Sequence, residues 1–183
     1  MQVSLVSLVL PIIVSSVALF FASFLSWMVL PFHRKDWVKL EKEDDFLEAV
    51  RKSAIPRGSY MFPCAQTPAE MKSEEHVKKW ESGPCGVITV FPKVNMGRNL
   101  GLQFLYLLVV SFFLAYLAAL AIQPGADFMT VFRFVSTAAF MAFLAGIVQH
   151  AIWFHARIVG HVIESVAYAA IAGAVFAALW PGT

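Results

Sequence analysis

The sequence predicts an all-α membrane protein: a four-transmembrane-helix bundle with a small mixed α/β cytosolic insert between helices 1 and 2. Three observations carry this. The chain is 59% hydrophobic, only 14% of it is charged, and its mean hydropathy is +0.70, whereas soluble domains are nearer half apolar and about a quarter charged. Charge is also unevenly placed. All Lys, Arg, Asp and Glu residues lie between Pro31 and Asn99 except Asp127, Arg133, Arg157 and Glu164. Finally, four uncharged or nearly uncharged runs, about 3–30, 100–122, 130–153 and 159–180, each reach the roughly 20 residues a helix needs to cross about 30 Å of hydrocarbon. The chain divides accordingly into helix 1 (1–30), an insert (31–99) and helices 2–4 (100–183). The runs are continuous rather than alternating, which excludes a β-barrel.

The first run has no Lys or Arg before it and is too long for the apolar region of a signal peptide. It reads as a span, with a kink expected near Pro11, where Ser15 and Ser16 can satisfy freed backbone groups. Basic residues set the orientation. Arg34, Lys35 and Lys39 follow the first span, Lys93 and Arg98 precede the second, and Arg157 lies in the last connection, while "QPGAD" carries only an acid. Counting these membrane-proximal charges puts both termini outside and both the insert and the 154–158 turn in the cytosol of an inner membrane. Trp27, Trp37, Trp153 and Trp180 are expected near the membrane interfaces, and Arg133 is expected to pair with Asp127 or to snorkel.

The insert reads as a small folded unit. "DDFLEAVRKS" runs from acids to bases along one helix, with Phe46, Leu47 and Val50 on one face. "TPAEMKSEEHVKKW" reads as a second helix with Thr67 as cap, Pro68 at the first position and Glu70 at the third. "GSYMFP" and "GVITVFP" are extended pieces able to pair. Two short strands and two short helices build little core, so the insert is expected to lie against the membrane face or a partner. Cys64 and Cys85 form no CxxC and are expected to be buried, reduced structural thiols; an inverted topology would let them pair across the strands.

Helices 2–4 carry small residues at four-residue spacing: Ser111, Ala115 and Ala119; Ala138, Ala142 and Gly146; and Ser165, Ala169, Gly173 and Ala177. Such rows let backbones approach where lipid removes any hydrophobic drive between helices. Titratable groups collect in "QHAIWFHARIVGHVIES" at the end of helix 3 and the start of helix 4. His161 and Glu164 share a face at i, i+3, and Tyr168 continues it. Antiparallel packing is expected to bring His150 level with His161, with His33 and His155 at the same surface.

Imidazoles and a carboxylate on facing helices are ligands for a metal, two histidines can hold a haem, and a histidine and acid beside an aromatic can take a quinone head group. His150, His161 and Glu164 are the candidate metal ligands, with His33 and His155 as further ones. The plainer reading of the same residues is a hydrogen-bonded tie between helices. No span is visibly broken and no inverted repeat shows, which disfavours transport.

In order along the chain, "PFHRKDW", "RGSYMFPC", "MKSEE…GPCGVITVFP", "NMGRNLG" and "HVIESVAY" resemble an uncharacterised family of small bacterial inner-membrane proteins. The resemblance implies a bacterial inner-membrane setting and no activity. The sequence has no nucleotide-binding loop and no nucleophile constellation, and it lacks a basic stripe for nucleic acid. The expected function is therefore non-enzymatic: an accessory, assembly or scaffold subunit of a larger membrane complex, in contact with lipid and with other subunits or copies of itself. The alternative is a metal-, haem- or quinone-binding redox membrane protein using the His/Glu cluster.

Overall fold

The computed structural model describes residues 3–182. Four helices are long and apolar enough to cross a membrane: Leu5–Val29, Met96–Ala121, Phe128–Phe154 and Val159–Ala178. The first is composite. A 3₁₀ turn, Leu5–Leu8, leads into α1 (Val9–Phe24), and a π-helical turn, Leu25–Val29, ends it. Pro11 lies in the first turn of α1, where a missing N–H costs little. The helix changes type from 3₁₀ to α three residues before Pro11 and runs on through it as α-helix to Phe24. Ser16 Oγ donates to Ile12 O (2.7 Å) and approaches Leu107 O (3.4 Å), so it bonds one turn further on and reaches the neighbouring helix.

After the insert come α5 (Met96–Ala121), α6 (Phe128–Phe154) and α7 (Val159–Ala178). α6 packs along α7, and α1 packs against both α5 and α7. Leu19, Leu107, Leu114, Val135, Ala172 and Phe176 belong to the shared core. Ser111, Ala115 and Ala119 on α5 and Ser165, Ala169, Gly173 and Ala177 on α7 are all buried. The expected row on α6 is not: Ala142 and Gly146 are exposed, and Val131, Val135, Ala139 and Phe143 are buried instead. The two rows are neighbouring stripes of one helix, and the bulkier one fills the core. Outward faces carry Leu10, Phe21, Leu105, Phe113, Leu120 and Met141. So much exposed apolar surface on long helices belongs to a multi-pass membrane protein, whose solvent is lipid.

Asp127 caps α6, accepting from Met129 N, Thr130 N and Thr130 Oγ1. These bonds, that from the Thr130 hydroxyl first, hold its carboxyl below the usual range. Its carboxylate thus serves as the cap of the helix. Trp180, which follows the last span, is buried within the protein. Its indole donates to Gln123 O (3.0 Å), and Gly125 N donates to Pro181 O (2.9 Å). The C-terminal segment thereby closes over the α5–α6 connection.

Residues 39–95 form a second compact unit. It contains α2 (Glu43–Lys52), β1 (Gly58–Phe62), α3 (Pro68–Met71), α4 (Glu74–Ser82) and β2 (Gly86–Val90). The strands pair antiparallel, with Gly58 opposite Val90 and Phe62 opposite Gly86. The second expected helix is two, because Ser73 starts a new one by accepting from His76 N (3.2 Å). Thr67 caps the first, accepting from Glu70 N (3.1 Å). Both cysteines are exposed free thiols, against the expectation of burial. They lie just beyond the paired ends of the strands, where this small sheet has no second layer to cover them.

Candidate polar site at the start of the last helix

The site is assembled by three local features. The π-helical turn closes with Leu30 N donating to Leu25 O (2.9 Å) and lays one face of Trp27 against His33. Pro31 then opens a 3₁₀ turn, Pro31–His33, which suits its fixed φ and missing N–H. Asp36 N donates to His33 O (3.1 Å), which brings the Asp36 carboxylate round to its own turn. The third feature is Gly160 in the first turn of α7. A Cβ there would lie 2.9 Å from His33 Cε1 and 3.0 Å from Phe32 O. Only glycine lets α7 approach the imidazole this closely.

His33 is thus buried at the foot of a helix that the sequence places far from it. Its ring stacks on Trp27, with centroids 3.9 Å apart and planes 1° from parallel. Nδ1 lies 2.6 Å from Asp36 Oδ2. A carboxylate can only accept, so the proton is on Nδ1 and the bond fixes the ring's orientation. Nε2 faces Glu164 Oε2 at 3.4 Å but has no hydrogen-bond partner among the described residues. The other Glu164 oxygen, Oε1, accepts from Tyr168 O–H (2.8 Å). His161 Nδ1 lies 3.8 Å from Glu164 Oε2, and the two imidazole centroids are 4.9 Å apart.

Of the five residues singled out from the sequence, the structure brings three together: His33, His161 and Glu164, each offering a ligand-type atom within 4.8 Å of the others. His150 and His155 lie outside this group. His150 is exposed in the last turns of α6, its ring 4.7 Å from that of Phe154. His155 ends α6 in the left-handed conformation, φ 52°, and is exposed; its work is to terminate the helix. The His33 and His161 rings are tilted by 56°, and with so short a separation no porphyrin plane fits between them.

Asp36, Trp27 and Gly160 are part of the site and were not picked out by pattern. Asp36 carried a usable signal, an acid at i+3 from a histidine after a proline. Glu164, Tyr168 and Trp27 also line a cavity of about 600 Å³, whose other walls include Phe20, Gln103 and Phe143. Glu164 therefore sits between the imidazoles and a cleft that opens to the outside of the bundle. No known family model matches the sequence, and neither a curated protein nor a solved structure matches the chain.

Proposed function

We propose that the chain is a non-enzymatic, accessory or assembly subunit of a larger complex in a bacterial inner membrane. It crosses the membrane four times as a helical bundle, with both termini outside and the insert in the cytosol. The observation that supports this is the state of the insert. No apolar side chain between residues 39 and 95 is buried; Met71, Trp80 and Phe91 are 60%, 46% and 67% exposed. A unit that folds its strands and helices yet leaves Trp80 and Phe91 this exposed is built to complete its core on another surface. Aromatics and methionine are the side chains that protein interfaces favour.

The test is a photo-reactive amino acid placed at Trp80 or Phe91 in the full chain in cells. Irradiation is expected to give a discrete adduct with another membrane-protein subunit. Adducts with lipid alone, or none, would overturn the docking role. Orientation is checked through the two exposed thiols. A membrane-impermeant maleimide should label Cys64 and Cys85 only after lysis, and equal labelling of intact cells would invert the topology.

A further inference from the structure

We propose that His33, His161 and Glu164 form a binding site for one divalent transition-metal ion of the zinc type. Asp36 and Tyr168 are the groups that orient its ligands. This stands apart from the docking role and rests on the geometry beside α7.

A four-coordinate zinc ion with bonds of about 2.0–2.1 Å holds its ligand atoms roughly 3.3–3.4 Å apart. The His33 Nε2 to Glu164 Oε2 separation is 3.4 Å, already that length. The His161 Nδ1 to Glu164 Oε2 separation is 3.8 Å. The His161 side chain is 24% exposed, against 4% for His33, so a small rotation of His161 closes the set around a rigid His33. Each ligand is also oriented as a metal requires. Asp36 accepts the hydrogen bond from Nδ1–H and so directs the Nε2 lone pair inward, the carboxylate–histidine arrangement that supports metal-bound imidazoles. Tyr168 occupies one Glu164 oxygen and leaves the other to bind.

The buried polar inventory points the same way. His33 Nε2 is buried without a hydrogen bond while aimed at a carboxylate oxygen. A buried polar atom without a partner calls for one, and an ion held between it and the facing carboxylate supplies it. Two imidazole nitrogens and one carboxylate oxygen form a borderline donor set. It suits Zn²⁺ and its transition-metal neighbours, whereas Ca²⁺ and Mg²⁺ take oxygen ligands. Three protein ligands leave a fourth position free.

The experiment uses the full chain in mild detergent, with Cys64→Ser and Cys85→Ser removing the exposed thiols as competing sites. After chelator treatment it is titrated with Co²⁺ and then Zn²⁺. The expected result is one Co²⁺ per chain with the intense visible absorption of four-coordinate cobalt, displaced by Zn²⁺. His33→Ala and His161→Ala should abolish that band. Asp36→Ala keeps all three ligands and should weaken affinity by about 10–100-fold with helicity unchanged. His150→Ala and His155→Ala should leave it unaltered. Should His33→Ala fail to fold, His161→Ala and Asp36→Ala decide. A folded protein that takes up no stoichiometric metal, or whose affinity survives both of these changes, would overturn the site. So would loss of the metal in His150→Ala.

Discussion

Replacing Gly173 with leucine is expected to lower the melting temperature of the purified protein in detergent clearly below that of wild type. A Cβ at this position would lie 3.0 Å from Phe132 Cδ2, 3.0 Å from Ser136 Cβ and 3.1 Å from Phe132 O. One of those atoms is backbone and cannot rotate away, so even alanine must push α6 from α7 slightly. Leucine adds three more carbons to a contact already closed. Overpacking of this kind costs on the order of 1–3 kcal/mol. In hydrocarbon no gain in apolar burial offsets it, because lipid is as apolar as the helix face. Gly146 on α6 is the internal control. A Cβ there meets nothing within 4 Å, so Gly146→Leu should melt like wild type. Equal melting of Gly173→Leu and Gly146→Leu, followed by circular dichroism, would remove close backbone packing as the basis of the α6–α7 contact.

The contrast between these glycines shows which parts of the fold were legible. The four spans follow from composition alone, and their ends agree within a few residues, since a charge or a proline marks most of them. The row through Gly173 was legible by its length: it has four members, one of them glycine, against three alanines in the row Ala170, Ala174 and Ala178, which faces outward. α6 offers two adjacent stripes, one small and one mixed, and spacing cannot choose between them. The burial of Val131, Val135, Ala139 and Phe143 depends on what α7 presents opposite.

The site was half legible for a related reason. His161 and Glu164 stand at i, i+3 on one helix, so local periodicity suffices. His33 lies more than a hundred residues earlier, and its ring reaches Glu164 only through a π-helical turn, a 3₁₀ turn and the bare face of Gly160. None of these leaves a periodic trace. His150, placed in the cluster by helix-hairpin reasoning, turns outward because the hairpin's depth relation says nothing about which side of α6 faces α7.

Glu164 supplies the last expectation, measured on metal-free protein so that it stands independently of any ion. The residue is buried, accepts the Tyr168 hydroxyl and faces His33 Nε2. Glu164→Ala leaves Tyr168 O–H without its acceptor and opens a void beside the imidazole. Each buried polar group so stranded costs about 1–3 kcal/mol, and the loss should appear as a clear fall in melting temperature. Glu164→Gln should behave differently. With the His33 proton on Nδ1, Nε2 offers a lone pair. The glutamine amide can donate to it while its carbonyl oxygen still accepts from Tyr168. Both contacts then survive in a neutral pair of nearly unchanged shape, and stability should stay within about 1 kcal/mol of wild type. Tyr168→Phe separates the two halves of the network, because it removes the hydroxyl yet keeps the ring packed on Phe143, 5.2 Å away. It should fall between the other two. A chelator-treated series in which alanine and glutamine at 164 melt alike would mean that the carboxylate's hydrogen bonds contribute nothing to holding α7 against the turn after α1. The closeness of Gly160 to His33 and the ring contacts of His161 with His33 and Trp27 would then carry that contact.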